Sequence, residues 1–120
     1  MKKLILPIVF FILSSCYYDS EEALYGKPGA CNTSVTNFSS EVQPILSSYC
    51  LSCHANTVAQ SKGGGIKLQE YKDVFANRGR LVGTITHAPG YSPMPKNSAM
   101  LSDCNISIIT IWISKDALNN

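Results

Sequence analysis

Charge is scarce in this chain. Only 15% of its 120 residues are Asp, Glu, Lys or Arg, with ten basic side chains against eight acidic ones and a formal net charge of +2. Two of the basic residues, Lys2 and Lys3, belong to an N-terminal leader, so the chain that follows is neutral. With no basic excess to neutralise phosphates, nucleic acid is excluded as a partner. Histidine is scarcer still, at two residues, His54 and His87, which leaves few groups for acid–base or metal chemistry. There is one tryptophan, Trp112. Internal repeats are absent, and no alternation of strands and helices points to a βαβ unit. The longest apolar run, Leu4 to Leu13, is too short to span a bilayer.

That run follows Lys2 and Lys3 and ends at Leu13-Ser14-Ser15-Cys16. Residues 1–15 read as a lipoprotein signal peptide, with Cys16 as the lipidated first residue of the mature chain. Acyl chains there hold a protein on a membrane without spanning it. The alternative is ordinary secretory cleavage with Cys16 unmodified. Tyr17 is not the Asp that, in a well-known bacterial sorting rule, retains lipoproteins at the inner membrane. The expectation is therefore the outer membrane of a Gram-negative bacterium, on its periplasmic face or at the cell surface. Residues 16–29, polar and ending in Gly26-Lys27-Pro28-Gly29, read as a flexible tether. The domain is expected over 30–120.

Cys50-Leu51-Ser52-Cys53-His54 has the C-x-x-C-H spacing of c-type haem attachment. Two thiols three residues apart add across the two porphyrin vinyl groups, and the adjacent His is placed to bind the iron. Two other chemistries use parts of this pattern. A dithiol redox site needs a βαβ context, and a zinc site would draw on Cys50, Cys53, His54 or His87, and Cys104. The distal ligand has three candidates. Met94, in Ser92-Pro93-Met94-Pro95, is favoured because prolines stiffen a loop and a thioether is a soft neutral ligand. His87 would give a bis-His haem, and Met100 reads as packing. An open iron is the remaining option.

With Cys16 assigned to lipid and Cys50 and Cys53 to haem, Cys31 and Cys104 remain. In an oxidising compartment two spare thiols are expected to bridge; two separate thiols are the alternative.

The pattern predicts an all-α fold of three to four short helices and long loops. Ser40 reads as an N-cap with Gln43 three residues on, and Val42, Ile45, Leu46 and Tyr49 repeat at helical spacing. Residues 55–66 read as a loop around Gly63-Gly64-Gly65. Leu68, Tyr71, Val74 and Phe75 predict a second helix, and residues 79–86 a third, weakened by Gly83. Residues 87–96 read as irregular. Ser102 caps a last helix carrying Ile106, Ile109, Trp112 and Ile113.

Taken together, these segments resemble the small monohaem class I cytochrome c domains, and most closely the planctomycete-type cytochrome c group. The matching stretches are Phe38 to Leu46, Cys50 to His54, and Gly64-Gly65-Ile66-Lys67-Leu68 with Tyr71. Met94-Pro95, Leu101-Ser102, Ile106, Ile109 and Trp112-Ile113 follow, then Ala117 and Asn119-Asn120. The likeness covers residues 31–120, with Asp116-Ala117 standing where such domains often have Gly-Ala. It implies one covalent haem c on Cys50 and Cys53, His54 as proximal and Met94 as distal ligand, and Trp112 packed in the helix pair near the haem. The activity implied is one-electron carriage by a monomer that meets redox protein partners briefly. A haem peroxidase or gas-binding protein with an open distal site, and a non-catalytic surface module with structural haem, are the competing functions.

Overall fold

The computed structural model describes residues 31–120. The expected signal peptide, Cys16 and the tether lie outside the described residues. Cys31–Asn120 forms one compact unit. Among the described residues the fold is helical with no strand, as an all-α reading requires.

The chain enters its first helix one turn earlier than the sequence predicts. A wide turn, Phe38–Val42, runs directly into α1, Gln43–Tyr49. Pro44 has no N–H to give to this turn. The turn closes instead with five-residue spacing, Val42 N donating to Asn37 O at 3.2 Å and Gln43 N to Phe38 O. The cap residue is therefore Asn37 and not Ser40, and the group that reaches back is Glu41, whose Oε2 accepts from Asn37 N at 2.8 Å. Ser40 lies inside the turn, and its hydroxyl bonds the same carboxylate.

Two four-residue helices follow, α2 (Leu51–His54) and α3 (Ala59–Lys62); α3 occupies part of the segment expected to be loop. The expected second and third helices are one element, α4, Tyr71–Ile85. The glycines that argued for a break do not cause one. Gly79 has open space around it, and Gly83 lies under the ring of Tyr91, where a Cβ would come within 2.6 Å of three ring carbons. The last helix, α5, is Asp103–Ser114, and its cap is as expected: Ser102 Oγ accepts from Asn105 N at 3.3 Å.

The core lies where α1 and its preceding turn, α4 and α5 meet. Val42, Leu46, Val74, Ile85, Ile109 and Trp112 are its largest fully buried side chains. Phe38, Tyr71 and Trp112, one from the start of each of two helical segments and one from α5, form an aromatic cluster. Ring centroids are 5.3 Å apart for Phe38–Tyr71 and 5.5 Å for Phe38–Trp112. The polar tips of this cluster are satisfied by the chain's last turn: Trp112 Nε1 donates to Leu118 O and Tyr71 OH to Ala117 O, both at 2.9 Å. Asn120 closes the unit, accepting from Phe38 N through its side chain and from Ser39 N through its carbonyl. Cys31 and Cys104 are disulfide-bonded across 73 residues. In a chain-entropy account such a closure contributes about 4 kcal/mol. Met100, expected to pack, is exposed at 45%; it lies two residues before the α5 cap, Ser102, and outside the helix.

No described helix is long and apolar enough to cross a membrane.

Candidate functional site

Helix α1 ends at Cys50, whose N–H still bonds Leu46 O at 2.8 Å. The chain then tightens into one turn in which Cys50 O accepts from both Cys53 N (3.1 Å) and His54 N (2.9 Å). The C-x-x-C-H run is therefore a single helical turn, with the two cysteines three apart on one side of it. Both thiols are free and half-buried.

His54 is the one buried ionisable side chain of this turn. Its Nδ1 lies 2.8 Å from Ile66 O. A carbonyl only accepts, so Nδ1 carries the proton and Nε2 keeps its lone pair for a metal. This is the arrangement by which a backbone carbonyl sets the tautomer and ring orientation of a metal-ligating His. The segment supplying that carbonyl is itself tied back, Leu68 N donating to His54 O at 3.0 Å. Gly63 makes the approach possible. A Cβ there would lie 2.6 Å from Cys53 O and 2.8 Å from His54 Nδ1.

Burial pushes the Cys50 thiol up from its ordinary value of 9.0 to about 11, because desolvation disfavours the thiolate. As a free thiol, Cys50 is therefore neutral at physiological pH. Thiolate is the reactive form. Alkylation of Cys50 by iodoacetamide at pH 8 is expected to run about a hundredfold slower than in the unfolded chain, and to accelerate until the pH reaches about 11. Mass spectrometry of quenched samples measures this; equal folded and unfolded rates would contradict the burial.

Met94 sits in the irregular segment after α4 and is half-buried. Its N–H donates to Thr84 O at 3.0 Å, and its carbonyl lies 3.1 Å from His87 Nε2. Two of the three sequence candidates for distal ligand are thus brought together, with the His87 ring bonded to the Met94 carbonyl.

The groups of the attachment turn fit a covalently bound c-type haem: two free thiols on one turn beside a buried imidazole whose Nδ1 is engaged. They do not fit zinc. Cys104 is committed to its disulfide, and no three His, Cys, Asp or Glu side chains among the described residues converge to hold a metal ion. Glu70, a possible acid–base group by type, is an exposed partner of Lys72 at 2.8 Å. Hydrogen bonds from Lys72 and Asn56 hold its carboxyl below the usual range.

The Ile66 carbonyl, Gly63 and the Thr84 carbonyl are parts of the site that sequence reasoning misses. Carbonyls have no residue signature, and Gly63 is indistinguishable in sequence from the two glycines after it. No family model, curated protein or solved structure matches the chain.

Proposed function

We propose that this chain is an exported, lipid-anchored monohaem c-type cytochrome that carries single electrons between redox protein partners. The observation that carries the reading is the turn Cys50–His54: two free thiols at attachment spacing beside a buried imidazole whose Nδ1 is anchored and whose Nε2 is free. When bound, haem c supplies a one-electron couple at its iron. The chain's own residues do the rest. Cys50 and Cys53 hold the porphyrin through thioether bonds. His54 is the proximal ligand, kept in one orientation by the Ile66 carbonyl. Met94 is the distal ligand, presented from a loop bonded to the end of α4. Retention of both ligands leaves no coordination position for substrate, which favours a carrier over an enzyme. A peroxidase would need a free distal acid–base residue. His87, the only other histidine, has its Nε2 against the Met94 carbonyl. Anchoring at Cys16 to the outer membrane rests on the sequence pattern of the leader. Encounters with partners would be small and short-lived, as redox encounters are.

The test is a visible spectrum of protein from cells able to attach haem, before and after acid–acetone extraction. A sharp reduced α-band that survives extraction is expected. Ferric protein is expected to show the weak long-wavelength band of iron–thioether bonding, lost in Met94→Ala and kept in His87→Ala. A colourless product from competent cells overturns the reading.

A further inference from the structure

His87 stands apart from the rest of its loop. It follows α4 directly, after the cap residue Thr86, and its φ is +52°. That left-handed conformation belongs to the C-terminal turn of α4, closed by His87 N donating to Thr84 O at 3.4 Å and Ala88 N to Gly83 O at 2.9 Å. The turn brings the His87 ring to Met94, with Nε2 3.1 Å from Met94 O. As a carbonyl cannot donate, the ring must present Nε2–H.

Met94 is consequently gripped on both sides through its own backbone groups. Its N–H reaches Thr84 O at 3.0 Å on α4, and its C=O receives the His87 imidazole. The turn between the two residues is held down separately. Ala88 N donates to Gly83 O at 2.9 Å, and Tyr91 lies against Gly83, where a Cβ would strike its ring. None of these bonds uses the thioether.

We propose that His87 is a positioning residue for Met94: its Nε2–H bond to the Met94 carbonyl holds the thioether in its presenting position, and so sets how readily an outside ligand displaces it. This rests on the haem reading above and adds to it a role for the second histidine that is neither distal ligand nor acid–base group. Losing the bond would free the Met94 carbonyl and raise the fraction of protein in which the thioether is displaced, and a competitor's apparent affinity rises with that fraction. A single hydrogen bond to a carbonyl accounts for a change of about fivefold to tenfold.

The experiment is imidazole titration of the ferric holoprotein, following loss of the iron–thioether band, in wild type, His87→Ala and His87→Gln. Gln places an amide N–H near the position of Nε2 but has no more tolerance of φ +52° than Ala, so the pair separates the hydrogen bond from backbone strain. Expected are an intact band in all three without imidazole, apparent imidazole affinity raised about fivefold to tenfold in His87→Ala, and near wild-type affinity in His87→Gln. Equal affinity in all three proteins overturns the positioning role while leaving Met94 as ligand. Equal tightening in both variants also overturns it, assigning the effect to backbone strain. A wild-type protein with haem but no thioether band overturns the Met94 reading, and the positioning role falls with it.

Discussion

Trp112→Ala is expected to cost about 3–5 kcal/mol of folding free energy, the range for deleting a buried Trp. Trp112 is 1% exposed, and its ring joins the start of the first helical segment (Phe38) to the start of α4 (Tyr71). Deleting it opens a void at the one place where three segments meet. It also removes the donor to Leu118 O, which helps to hold the last turn, where Asp116 and Ala117 both have positive φ. For a domain of this size each kcal/mol corresponds to about 4–8 °C in Tm, so the loss is expected to lower Tm by about 12–40 °C. Trp112→Phe keeps most of the apolar area and loses the hydrogen bond; it is expected to cost about half as much. Thermal unfolding followed by far-ultraviolet circular dichroism measures both. A cost below about 1.5 kcal/mol for the Ala variant would mean that the aromatic cluster does not organise the core.

The parts of this fold that follow from side-chain pattern are legible in the sequence. The α5 helix is an example: Ser102 supplies the cap and Ile106, Ile109, Trp112 and Ile113 the apolar face. The Cys31–Cys104 bridge follows from counting thiols. The C-x-x-C-H turn is legible because the chemistry demands adjacent side chains. What depends on backbone groups or on distant neighbours is not. Gly83 reads as a helix breaker, yet α4 passes through it, because the missing Cβ makes room for Tyr91. Ser40 and Gln43 read as a capping pair, but Pro44 lengthens the preceding turn and moves the cap to Asn37 and Glu41. Met94 and His87 read as rivals. The loop that folds back on α4 instead makes His87 the partner of the Met94 carbonyl, a relation that no spacing rule contains.

The same distinction makes Gly63-Gly64-Gly65 the sharpest place to test the site. Its first two residues have different physical reasons to be glycine. At Gly63 the backbone is ordinary, with φ −102°, and the constraint is purely steric: a Cβ meets Cys53 O at 2.6 Å and His54 Nδ1 at 2.8 Å. At Gly64 the constraint is purely conformational, with φ +60° and nothing within 4 Å of the added carbon. Gly64→Ala is therefore expected to cost about 1 kcal/mol through its left-handed φ and to leave the haem spectrum unchanged. Gly63→Ala must move either the Cys53 carbonyl, which belongs to the attachment turn, or the imidazole that turn presents. A cost of about 2–3 kcal/mol is expected, together with weakened anchoring of His54 to Ile66 O. On the haem reading proposed above, a disturbed Nδ1 bond would leave His54 a weaker donor with a less fixed ring. The holoprotein is then expected to show a shifted Soret band and a lower haem yield per chain, on top of its lower Tm. If Gly63→Ala and Gly64→Ala destabilise equally and both keep the wild-type spectrum, close packing of Gly63 on His54 plays no part in holding the ligand. If only Gly63→Ala perturbs the spectrum, the contact that lets the Ile66 carbonyl reach the imidazole is part of the site.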